Sequence, residues 1–189
     1  MAIKTFISGQ VLTAADTNTY LANAGLVFVA SGSLSGSTKD FPLCFSDTYD
    51  NYLILIDQIS VSASGDIYFQ MLSGSTPATT AEYFWAYRGL RDDGVASDNV
   101  NAGMTQGYTG FSSTLANLVL GSIQMTVYGP KIAQRTFIKS LAIAYPTTSA
   151  TRDGMARHNV TTAYDGIRFT TGGTVTFSGN VTIYGYRKA

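Results

Sequence analysis

Charge is what this sequence has least of. Only 13% of its 189 residues are charged, and Glu82 is the sole glutamate. The 12 basic and 12 acidic residues cancel to a formal net charge of zero. A nucleic-acid binder needs Lys and Arg clustered against phosphate, so that class of partner is not expected. So little charge also gives a free monomer little protection against self-association, which points to a protein held in an assembly. Cys44 is the only cysteine, so no intrachain disulfide can form. Set in Phe-Pro-Leu-Cys-Phe, it reads as a small buried hydrophobe. His158 is the only histidine. One His and one Cys cannot build a zinc site without carboxylates, and no nucleophile-elbow pattern accompanies His158 to suggest a catalytic triad. The glycine-rich stretches lack the Lys-Ser/Thr of a phosphate loop, and no cofactor is expected. No apolar run approaches membrane-spanning length, and Met-Ala-Ile-Lys-Thr-Phe at the start lacks the apolar core of a signal peptide.

Gly, Ser, Thr, Asn and Tyr stand where Lys and Glu usually do. Thr and Tyr fit a pleated surface, and Gly and Asn make turns. The one helix signal is residues 13–25. Thr13 is a suitable N-cap, Asp16 sits three residues on at the positive end of the helix dipole, and Gly25 can take the left-handed conformation that stops it. Beyond Gly25 the period is two. Residues 26–30 form a short apolar run before a flexible 31–37 turn, and residues 41–45 read as a strand whose Pro42 favours an edge. Tyr52-Leu-Ile-Leu-Ile56 is apolar on both faces, so both need cover, from a sandwich interior or from another subunit. Ser64-Gly-Asp66 reads as a hairpin turn into the alternating Ile67, Phe69 and Met71. Residues 91–110 lack periodicity and read as a long loop. Ile123, Met125 and Val127 share a face; Phe137, Leu141 and Ile143 continue the theme, with Lys139 the exception on that parity. Asp153-Gly154 carries a hairpin signal, Gly172-Gly173 a tight turn, and Gly179 suits a bulge in the last strand. About eight to ten short strands result, with turn signals roughly every ten residues: an all-β, antiparallel, jelly-roll-like sandwich over residues 26–189, preceded by an arm and short helix over 1–25.

Candidate sites are few. Asp47, Asp50 and Asn51, and Asp92, Asp93, Asp98 and Asn99, are the oxygen-rich groups a calcium ion would use, but neither matches an EF-hand, and side-chain capping of turns accounts for both. Asn159-Val-Thr and Asn180-Val-Thr read as ordinary strand or turn residues rather than glycosylation sites. Glu82 has no acidic partner that the sequence selects for glycoside cleavage. The aromatic strand is the feature with a binding character. Tyr83, Trp85 and Tyr87, with Arg88, offer flat faces and hydrogen-bonding tips to a glycan or protein, with Tyr108 and Phe111 of the same kind. The competing reading is a core strand with two aromatics inward and two outward.

Three segments carry a resemblance: Gly9-Gln-Val-Leu-Thr-Ala-Ala-Asp16 with Asn18, Tyr20 and Leu21; Phe45-Ser-Asp-Thr-Tyr-Asp-Asn-Tyr-Leu-Ile-Leu-Ile56; and Val175-Thr-Phe-Ser-Gly-Asn-Val-Thr-Ile-Tyr-Gly-Tyr-Arg187. They are similar to the openings, strand entries and endings of small structural proteins of tailed-bacteriophage virions. The resemblance implies a non-enzymatic fiber, appendage or tip protein of the virion, forming a homotrimer. Val11, Leu12, Asp16, Asn18, Tyr20 and Leu21 would dock the arm to other virion proteins, and the β-body would be offered to a host-surface glycan or receptor. The alternatives are a monomeric carbohydrate-binding module and, more distantly, a glycan-degrading tailspike.

Overall fold

A computed structural model describes Gly9, Val11, Thr13 and residues 25–113, 121–144 and 150–187. The helix expected over residues 13–25 falls almost wholly outside these, and no helix occurs among the described residues. Thirteen strands do: β1 Leu26–Leu34, β2 Thr38–Phe41, β3 Tyr49–Val61, β4 Gly65–Ser73, β5 Thr76–Pro77, β6 Tyr83–Arg91, β7 Ala96–Met104, β8 Gly107–Ser113, β9 Gly121–Tyr128, β10 Thr136–Ala144, β11 Ala150–His158, β12 Gly166–Thr170 and β13 Phe177–Arg187. They form two antiparallel sheets. The large one has eight strands in the order β1-β13-β3-β9-β10-β11-β6-β7; the small one runs β2-β12-β4-β5, with β8 also paired to β4.

Alternation places the core. Tyr52, Ile54 and Ile56 on β3, Met125 and Val127 on β9, and Val181 and Ile183 on β13 turn inward. They share one buried cluster with Ile67, Phe69 and Met71 of β4 and Ile167 and Phe169 of β12. The hydroxyls of two core tyrosines are satisfied: Tyr83 accepts from the Met71 amide at 2.9 Å and donates to the Ala78 carbonyl at 3.1 Å. Tyr52 makes the same double contact with Ser46, at 2.6 and 3.0 Å.

Several local expectations change. β3 already has β13 and β9 on its two sides, so Ser64-Gly-Asp66 closes no hairpin and instead carries the chain to the small sheet. β1 runs through the expected turn to Leu34, whose side chain is drawn into the core. The expected 41–45 strand ends at Phe41, because Leu43 at φ 56° turns the chain and drops Cys44 and Phe45 into the interior. Asp153-Gly154 lies inside β11, not at its start. Gly172-Gly173 joins β12 to β13 across sheets. The loop expected over 91–110 is the β6–β7 hairpin followed by β8. β7 is an edge strand of mostly small and polar residues that reaches the core only through Met104 at its end, so its sequence carries no apolar period. The bulge at Gly179 is present: the β13–β3 register shifts between Ser178 and Asn180, and φ of 152° there suits glycine.

Candidate interaction surface

The register of the large sheet fixes which side chains share its outer face. Across β9, β10, β11 and β6, one row runs Tyr128, Phe137, Arg157, Phe84. The next runs Thr126, Lys139, Met155, Ala86 and reaches Val100 on β7; the third runs Gln124, Leu141, Asp153, Arg88 and reaches Asp98. The fourth brings Ile143, Thr151 and Leu90 together. Large apolar side chains on this face stay in solvent: Val100 is 76% exposed, Met155 67%, Leu90 60% and Phe137 51%. They line a concave trough of about 1250 Å³.

The parity of β10 is thus the reverse of a core strand's. Phe137, Leu141 and Ile143 point out with Lys139, while Ile138 and the small Ser140, Ala142 and Ala144 point in. β8 is the cause. It lies so close beneath β10 and β11 that a Cβ added at Gly110 would sit 3.3 Å from that of Ala142. Only small side chains fit there. The expectation that Phe137, Leu141 and Ile143 continue the core face is corrected accordingly. Lys139 on the same parity is the sequence's own signal of a solvent face, while Met155, Leu90 and Val100 carry no such signal.

Two of the three cations in the trough are paired with acids inside it, and the third lies on an aromatic ring. Lys139 Nζ lies 3.1 Å from Asp153, Arg88 lies 3.9 Å from Asp98, and the Arg157 guanidinium rests 4.6 Å over the Phe84 ring. A second apolar group sits at the other end of the same face. β1 and β13 pair Leu26 with Tyr186 and Phe28 with Tyr184, and the Phe28 and Tyr184 rings meet edge to face at 6.3 Å. Phe28 is 60% exposed.

The aromatic strand does not present one surface. Tyr83, Trp85 and Tyr87 point to the inner side and Phe84 and Arg88 to the outer. Tyr83 is wholly buried with both hydroxyl bonds inside the protein, which removes it as a contact for an outside ligand. Trp85 and Tyr87 stack on each other and against Tyr108, with ring centroids 4.9 and 5.4 Å from it. Arg152 locks this group, donating to the Tyr108 hydroxyl at 3.1 Å and the Gly110 carbonyl at 3.2 Å. Tyr108 and Phe111 are buried, so both act as packing rather than as contacts. Of the expected glycan set, Trp85 and Tyr87 are half-buried and Arg88 is exposed, on the face away from Trp85.

Of the expected docking residues, Val11 is described and exposed; Leu12, Asp16, Asn18, Tyr20 and Leu21 lie outside the described residues. Asp93 caps its own turn through the Val95 amide at 3.1 Å and pairs with Arg91 at 2.7 Å. Asn51 accepts from the Gly129 amide at 3.3 Å. No cluster of three or more metal-ligating side chains occurs among the described residues. Burial pushes the Cys44 thiol up to about 12, so it carries no thiolate at neutral pH. His158 is buried against Tyr83 and Tyr164; no serine is bonded to it, and its Nδ1 contacts the Tyr164 hydroxyl at 3.0 Å.

Searches for relatives add little to this geometry. No family model and no curated protein matches the chain. Among solved structures, the CspB protease of Clostridium perfringens aligns at 12% identity and a TM-score of 0.20, over 83% of this chain and 24% of that one. A likeness at that level carries no argument about fold or activity.

Proposed function

We propose that the chain is a non-enzymatic structural protein of a tailed-bacteriophage virion, a small fiber, appendage or tip subunit. Residues 1–25 form the arm that docks to other virion proteins, and the β-body assembles as a homotrimer that is offered to the host surface. The body is read as a jelly-roll-like sandwich, in which the long-range neighbours β13, β3 and β9 join the two ends of the sequence.

One observation carries the reading: half of the outer face of the large sheet is apolar, concave and left uncovered by the described residues. Exposed patches of this extent mark surfaces that meet another protein. The neutral composition and the three virion-like segments support the same reading. A carbohydrate-binding module is less well supported, since Trp85 stacks inward on Tyr87 and Tyr108 instead of offering a platform. Light scattering tests the proposal. The chain of 20.1 kDa is expected to run as a trimer at micromolar concentration. A monomer there, and absence of the chain from purified particles probed by antibody, would sink it.

A further inference from the structure

We infer that the trough over β9–β7 receives the β1–β13 end of a second copy of this chain, in a head-to-tail contact built around Phe28. This rests on the assembly reading above and specifies the surfaces. Three observations select the occupant.

Shape comes first. The trough is concave, so two troughs facing each other would leave their floors uncovered; it needs a projecting partner. Phe28 projects from the edge strand β1, braced edge-on by Tyr184, with Leu26 and Tyr186 beside it.

Charge comes second. Lys139–Asp153 and Arg88–Asp98 neutralise each other inside the trough, and the remaining cation there, Arg157, is held on the Phe84 ring, so a partner needs little counter-charge of its own. The Leu26, Phe28, Tyr184, Tyr186 patch carries none. Phosphate, nucleic acid and acidic peptides gain nothing from such a surface, whereas a neutral apolar patch does.

Area comes third. Five strands at about 4.8 Å spacing and some nine residues at about 3.3 Å each give a footprint of roughly 700 Å². That is on the order of the ~800 Å² per partner of a standard stable interface. The two patches lie on one face, divided by Leu53 and Leu55 of β3, of which Leu53 is buried, and by the polar Thr126 and Gln124 of β9. Distinct donor and acceptor surfaces make a heterologous contact, which builds a ring or an open filament rather than a two-fold pair, and the trimer proposed above is the ring.

The experiment uses surface variants. Met155→Glu in the trough and Phe28→Asp at the edge replace exposed side chains, and each is expected to fold with an unchanged circular dichroism spectrum while running as a monomer. Val100→Asp stands in for Met155→Glu if that variant misfolds. An equimolar mixture of the trough and edge variants has one intact interface, between the intact edge of one chain and the intact trough of the other. It is expected to give a dimer, twice the monomer mass, that does not grow further. If the wild type assembles and these variants still assemble like it, the inference is overturned while the assembly reading stands. If Phe28→Asp assembles and Met155→Glu does not, the contact is trough to trough and the head-to-tail form is wrong. A monomeric wild type overturns this inference, and overturns the assembly reading as well only if the chain is also absent from purified particles.

Discussion

His158 is sealed in the protein, with Tyr164 on its Nδ1, the Tyr83 ring 4.2 Å from its own, and no hydrogen-bond partner on Nε2. Burial pulls its pKa below the ordinary 6.5, and the opposing attraction of Glu82 is smaller. As pH falls, the unfolded chain therefore takes up this proton before the folded one does. The stability conferred by neutral His158 is complete above about pH 6.5, is lost as pH falls below it, and levels off once the folded form is protonated too. The urea midpoint is expected to drop between about pH 7.5 and about pH 5. In His158→Gln the drop should shrink; an equal drop would assign the effect to carboxylates. A second test at this scale concerns β2 and β12, which set Asp40 directly opposite Arg168 in a two-pronged contact of 2.6 and 2.8 Å. Lysine cannot fill both prongs. Arg168→Lys is expected to lower unfolding free energy by about 1 kcal/mol, the upper end for a partly exposed pair, read from urea curves.

At the scale of the element, β10 inverts the usual advice about which substitutions are safe. Leu141→Ser removes a large apolar side chain from solvent, and the isolated subunit should keep its stability within about 0.5 kcal/mol. Ala142→Leu adds volume where β8 presses on the sheet, and should cost about 1–3 kcal/mol by overpacking. Gly107→Ala belongs with it, because a Cβ there would run into the buried ring of Phe69. Thermal or urea unfolding of the three variants decides the matter; a Leu141→Ser subunit as damaged as Ala142→Leu would refute the inverted parity. The same strand shows how far sequence reading goes. β4, β9 and β13 were legible because apolar residues at a period of two mark their core face, and β3 because its run is apolar on both faces, with Tyr52, Leu53 and Ile54 buried in succession. β7 was not, since it is an edge strand of mostly small and polar residues in which only Met104, at its end, packs against the core. For β10 the alternation was legible but not its direction: that depends on β8, a strand whose approach no local pattern encodes. The trough escaped for the same reason, being assembled from five strands spread over residues 83–157.

At the scale of the whole molecule, an apolar contact with internally matched charges should respond to salt unlike an ionic one. Raising sodium chloride from low to half-molar is expected to leave the mass by light scattering unchanged, and sulfate is expected to strengthen the assembly. Dissociation by moderate chloride would point instead to bridges between subunits. The order of strands has a different consequence, one of timing. β13 lies between β1 and β3, so the first two long strands of the chain touch only through the last one. A growing polypeptide that has made residues 26–176 holds β1 with no partner in the large sheet and β3 with one side open. Closing so long a loop is slow, because its entropy is lost before any contact is gained. The large sheet is therefore completed only when its final eleven residues arrive, and until then no finished edge exists for a sister chain to seize.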